Sequence, residues 1–194
     1  MADDNPGSQL AALLIDSAVA AGICRDMTVR SGDDVFAPQS AAGHVFVLKD
    51  GLIKLYYLVA EGDEWTKSLI ADSGVFGPTS AQETRIQFGA KALEDCQLGR
   101  VPQDWLANEI ATNSRIANSL AAFQAWLFER KRKREEDMLC LAAEDRYLSF
   151  VQNEPILTQR LEQKEIAAFL RITPVALSRI RKRLKAEGRL ADET

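Results

Sequence analysis

The densest chemistry in the chain lies near its carboxyl end. From Arg171 to Lys185 stand six basic residues, Arg171, Arg179, Arg181, Lys182, Arg183 and Lys185, and no acid. Guanidinium and ammonium groups suit phosphate oxygens, and an arginine fork also matches the O6 and N7 edge of guanine. On a helix, Ser178, Arg179 and Lys182 can share one face, a face able to meet a phosphate backbone and base edges together. A second basic run, Arg130, Lys131, Arg132, Lys133 and Arg134, is bracketed by Glu129 and by Glu135, Glu136 and Asp137. Its ordinary meaning is a solvated helical face with local ion pairs, leaving one or two cations for an anionic ligand or an acidic partner.

Other chemistry is excluded by composition. The 194 residues contain a single histidine, His44, so zinc motifs and Ser/His/Asp triads have too few imidazoles. Cys24, Cys96 and Cys140 lie 72 and 44 residues apart, unlike a metal cluster or an even disulfide set. The sequence thus predicts no enzyme, no metal and no identified cofactor. The apolar stretch at 10–24 is interrupted by Asp16 and preceded by Asp3 and Asp4, which reads as a helix and not as an export signal. No run approaches the roughly 20 apolar residues of a membrane span. A cytoplasmic protein without membrane association is expected.

The basic face must be carried by something rigid. Gln163 to Leu170 and Pro174 to Lys185 read as two short helices around a tight corner, because Thr173 can cap free amides and Pro174 fits the first helical turn. Ile166, Leu170, Ile172, Leu177 and Ile180 occupy the buried spacing of a helix-turn-helix, with the small Ala167 at the crossing. Arg171 stands where that turn normally has glycine, at a residue that tends toward positive φ. Charge supports the division: residues 156–194 hold 9 basic and 5 acidic side chains, against 15 and 23 before them, within a total of 24 and 28. A basic end on an acidic body points to a partner.

Upstream, residues 103–154 contain neither glycine nor proline and read as long helix. Ile116, Leu120, Phe123 and Leu127 form a narrow apolar stripe along it, suited to pairing with a second copy, hence a homodimer; the plainer alternative packs the stripe on the strand domain of its own chain. Eight of eleven glycines fall at 32, 43, 51, 62, 74, 77, 89 and 99, an interval that suggests short antiparallel strands. Strand-like runs occupy 45–48, 52–59, 65–70 and 88–93, with Asp50-Gly51 and Glu61-Gly62-Asp63 placed as hairpin turns.

These segments together resemble the Crp/Fnr family of bacterial transcription regulators over nearly the whole chain. ITPVALSRIRKRL resembles the family's recognition helix, GHVFVLKDGLIKLYY and EGDEWTKSLI its β-roll, GVFG and KALEDCQLGRV the later strands of the roll, and AEDRYLSFVQNEP the link into the reading domain. The resemblance implies an α+β protein with an N-terminal antiparallel, jelly-roll-like β-roll and initial helix (1–112), a dimerisation helix (113–140), and a helix-turn-helix domain with a truncated wing (141–194). It also implies a homodimer reading double-stranded DNA at a palindromic operator, with RNA polymerase and a small-molecule effector as further partners. Carried over by position, Arg179 is the main base-contacting arginine and Ser178 its neighbour, while Val175 stands where many members have an acid. Arg171, Thr173, Val175, Ser178, Arg179 and Lys182 are therefore the expected DNA-facing residues. The competing reading is a ligand-binding signalling module whose C-terminal helices contact protein.

Members that bind cyclic nucleotides hold them with a Phe-Gly-Glu turn and a later Pro-Arg pair. Here Phe76 and Gly77 are kept, Pro78 replaces the glutamate, and Ile86 stands at the arginine position with Arg85 one residue early. Without those anchors the roll is not expected to take cyclic AMP in the usual way, because a buried phosphate needs a compensating cation. Phe76, Gly77, Thr79, Ser80, Arg85 and Gln87, with Lys131 and Arg132 on the helix, are the groups expected around any other effector. Heme would have to rely on His44, which reads as a packing or surface residue instead.

Overall fold

The computed structural model describes residues 5–59, 62–78 and 83–190, and opens on helix α1 (Pro6–Ala20). That helix starts where the Asn5 side chain accepts a hydrogen bond of 2.8 Å from the Gly7 amide, with proline at the first turn. Eight strands follow: β1 (Arg25–Val29), β2 (Asp34–Phe36), β3 (His44–Asp50), β4 (Leu52–Leu58), β5 (Glu64–Ala71), β6 (Gly74–Phe76), β7 (Gly89–Ala92) and β8 (Cys96–Pro102). They form two four-stranded antiparallel sheets, ordered β1-β8-β3-β6 and β2-β7-β4-β5. Helices α2 (Gln103–Thr112), α3 (Ser114–Cys140), α4 (Ala143–Asn153), α5 (Pro155–Arg160), α6 (Gln163–Leu170) and α7 (Pro174–Ala186) complete the chain. Two compact units result, Met1–Arg130 and Lys131–Thr194, divided within α3. No described helix is long and apolar enough to cross a membrane.

The roll closes around aromatic side chains. Phe36, Phe46, Phe76 and Phe88 are buried, with Phe46 5.3 Å from Phe36 and 5.6 Å from Phe76 between ring centroids. Leu48, Ile53, Leu55, Ile86 and Leu98 fill the remaining interior. Burying each large side chain contributes roughly 1.5–3 kcal/mol, so this cluster is the main stabiliser of the roll.

Asp50-Gly51 is not the hairpin turn expected from sequence. β3 pairs with β6 and β8, whereas β4 pairs with β5 and β7, so Gly51 carries the chain from one sheet to the other. Its φ is +105°, and a Cβ there would lie 2.6 Å from the Cys96 sulfur, so the site needs glycine for close packing between sheets. The turn around Gly62 does join paired strands, with Leu58 opposite Glu64; its Glu61 lies outside the described residues.

The long helix expected over 103–154 is interrupted twice. The Asn113 side chain accepts from the Arg115 and Ile116 amides at 3.1 and 3.4 Å, ending α2 and capping α3 by offering the backbone a local alternative. After α3, extended Ala142 redirects the chain, and the Arg146 guanidinium donates to the Leu141 carbonyl at 2.9 Å.

The apolar stripe of α3 packs in part against its own chain. Ile116 is buried with Leu10, Ala11 and Leu14 of α1 and Val47 of β3, and Leu120 and Phe123 pack against the same cluster. These three positions therefore cover their own roll, and Leu127 is half-buried. The opposite side of α3 leaves Ala121, Ala125 and Phe128 exposed, Phe128 by 66%.

Candidate nucleic-acid interface

Helices α4 to α7 bury an apolar core that fixes the corner. Tyr147, Phe150, Leu157, Leu161, Ile166, Ala167, Leu170, Leu177, Ile180 and Leu184 are all buried, while Ile172 is half-buried. Thr173 caps α7 as its residue type suggests, its hydroxyl accepting from the Ala176 amide at 3.1 Å. Arg171 adopts left-handed backbone, φ 58° and ψ 44°, so arginine occupies the conformation for which glycine is the usual choice. The Ile172 amide reaches back to the Ala167 carbonyl at 3.0 Å and closes the turn.

This frame presents Arg171, Thr173, Val175, Ser178, Arg179 and Lys182 to solvent together. The basic residues of α7 are not equivalent, a distinction that sequence reading missed. Arg183 is ion-paired to Glu144 of α4, and Arg189 reaches the same carboxylate at 2.7 Å. The hydrogen bond from Arg183 holds the Glu144 carboxyl below the usual range. Arg181 is half-buried. Arg179 and Lys182 have no ion-pair partner among the described residues, and they flank Ser178 on one exposed face. Such a face can donate to phosphate oxygens and to guanine without first breaking an internal pair. No strand follows α7 among the described residues.

The expected effector positions that the structure describes in the roll have different surroundings. Phe76 lies in the aromatic core. Gly77, at φ +144°, runs so close to β3 that a Cβ would lie 3.1 Å from the His44 carbonyl. Ile86 is buried, whereas Arg85 is exposed and donates to the Gln39 carbonyl at 2.8 Å. The Gln87 amide donates to the Arg85 carbonyl at 3.2 Å and accepts from Gln39 at 2.9 Å. Thr79 and Ser80 lie outside the described residues. Lys131 and Arg132 are exposed on α3 in the other unit, and Arg132 pairs with Glu136 at 3.5 Å.

His44 opens β3 opposite Pro102, half-buried; burial, followed by the nearby Arg100 cation, pushes its pKa below the ordinary value. A polar network unseen in the sequence lies on β4 and its neighbours. Lys54, 5% exposed, meets Glu64 at 2.9 Å, Lys91 pairs with the same carboxylate, and the Tyr56 hydroxyl donates to Asp34 at 3.1 Å.

Known proteins agree with this architecture. Residues 26–113 match the family described as the cyclic nucleotide-binding domain. The chain is similar to the nitrogen fixation regulation protein FixK of Azorhizobium caulinodans, 22% identical over 173 residues that cover 81% of this chain and 68% of that protein. Its fold is similar to that of FixK2 from Bradyrhizobium japonicum, with a TM-score of 0.77 at 16% identity over 89% of each chain. A CRP-family transcriptional regulator from Thermus thermophilus gives a TM-score of 0.69 at 17% identity, over 87% of this chain and 88% of that one. Residues 26–113 thus match a cyclic nucleotide-binding domain, and the chain shares the fold of FixK2 and of the CRP-family regulator from Thermus thermophilus.

Proposed function

We propose that the protein is a homodimeric, sequence-specific DNA-binding transcription regulator that reads a palindromic operator with the exposed face of α7. The observation that carries this reading is the pair Arg179 and Lys182, unpaired among the described residues and mounted on a buried apolar core. Arg179 donates to a guanine edge, Ser178 contacts the neighbouring base or phosphate, and Lys182 and Arg171 neutralise backbone charge. Val175, 60% exposed, supports an apolar contact such as a thymine methyl. The second copy pairs through the exposed side of α3 with Ala121, Ala125 and Phe128, since Ile116, Leu120 and Phe123 serve the roll. The buried Ile86 and the tethered Arg85 support a roll that does not hold cyclic AMP in the usual manner. RNA polymerase and an effector rest on the family resemblance alone.

Replacing Arg179 by alanine tests the reading. Discrimination between operator and mutated half-site should fall by about 1–3 kcal/mol, with fold and dimer mass unchanged. Undiminished discrimination would favour a protein-contacting role for α7, and a monomer that shifts no promoter fragment at low salt would refute the proposal.

A further inference from the structure

The structure gathers three arginines around one cleft, and only Arg171 among them also belongs to the proposed duplex-reading face. Arg134 near the end of α3, Arg146 on α4 and Arg171 in the α6–α7 turn line a cleft of about 380 Å³, with Met138 as its apolar wall. No carboxylate lines this cleft, and neither Ser178, Arg179 nor Lys182 does so. Two of the guanidinium groups are held in place. Arg134 donates to the Phe169 carbonyl at 3.1 Å and lies over the Phe169 ring at 4.2 Å. Arg146 is tied to the Leu141 carbonyl, while its Nε is buried without a hydrogen-bond partner among the described residues.

Three guanidinium groups lining one cleft offer an anion several planar, charged donors. Arg134 already responds: burial, then the Arg171 cation, disfavours its protonated form. The backbone adds an independent sign, because Arg171 keeps a positive φ that glycine would adopt without strain. Strained backbone persists where the side chain is used. A tetrahedral oxyanion answers all three features. It accepts several charge-assisted hydrogen bonds from the guanidinium groups that line the cleft.

We propose that Arg134, Arg146 and Arg171 form a phosphate-binding site within the helical unit. A free phosphorylated small molecule and a DNA backbone phosphate present the same oxygens, and the test separates them. The first measurement is titration of the full-length protein with inorganic pyrophosphate at constant ionic strength, read by calorimetry and by thermal melting. Pyrophosphate should raise the melting temperature where matched sodium chloride does not. In Arg171→Gly and Arg146→Gln its affinity should weaken by about tenfold or more, as expected for losing a hydrogen bond to a charged group. Arg171→Gly relieves backbone strain, so its loss of binding cannot be ascribed to unfolding.

The second measurement is the salt dependence of duplex binding. A slope lower by about 0.9 in Arg171→Gly assigns the phosphate to DNA, and an unchanged slope beside lost pyrophosphate binding assigns it to a free ligand. Pyrophosphate bound equally by wild type and variants overturns the site. So does a wild type blind to pyrophosphate with an unchanged slope. The pyrophosphate arm contains no DNA; should the Arg179 test refute duplex reading, it decides the matter by itself.

Discussion

The two units differ in where some of their cations stand. In the roll, Lys54 and Lys91 converge on Glu64, and Arg85 is tied to a backbone carbonyl. The roll's interior is occupied by phenylalanine rings and aliphatic side chains. In the helical unit the apolar core is equally filled, yet Arg179 and Lys182 stand in solvent and three further arginines meet around one cleft. Internal pairing offsets the cost of removing a charge from water and leaves nothing for a partner. A solvated cation on a rigid helix costs little in the free protein and is ready for an anion. The contrast supports the proposed recognition of anions by the helices.

Core variants should break that comparison most severely. Phe46→Ala removes a ring packed on Phe36 and Phe76 and should destabilise the roll by about 3–5 kcal/mol. Leu177→Ala, at a fully buried position, should cost the helical unit about 2–5 kcal/mol. Scanning calorimetry should show each variant lowering a different transition, and one shared transition lowered by both would contradict independent cores.

Surface cations sharpen the contrast with smaller effects. Lys182→Ala should weaken duplex binding evenly across sequences and lower the salt slope by about 0.9, whereas Arg85→Ala should leave that slope unaltered. Thr173→Ala deletes the cap at Ala176 and should cost about 1 kcal/mol in urea unfolding.

Acid should separate the units most gently. Since burial and Arg100 lower the His44 pKa, the unfolded chain binds that proton more readily than the folded one. Its contribution is full above the ordinary histidine value of about 6.5 and is lost as pH falls through the folded value. Glu144, held low by Arg183 and Arg189, contributes above the ordinary glutamate value of about 4.3, and that contribution is lost only as pH falls further. Urea midpoints followed from pH 7 to pH 4 should decline first in the roll, and His44→Gln should flatten that early decline.

Sequence alone determined the helix-turn-helix, because its signals are local. A threonine before proline, apolar residues at helical spacing and a small residue at the crossing act within about twenty positions, and the structure places each as its type implies. Even the departure at Arg171 was legible, since the turn imposes positive φ on whatever residue occupies it. Tertiary structure decided the rest. Alternation identifies β3 and β4 as strands but carries no record of their partners, so only folding shows that Gly51 joins two sheets. An apolar stripe does not name its occupant, and only the folded chain shows α1 packed with Ile116, Leu120 and Phe123. The meeting of Arg134, Arg146 and Arg171 spans 37 positions of chain, and no periodicity reaches that far; it exists because the packing of helices brings their side chains to one cleft.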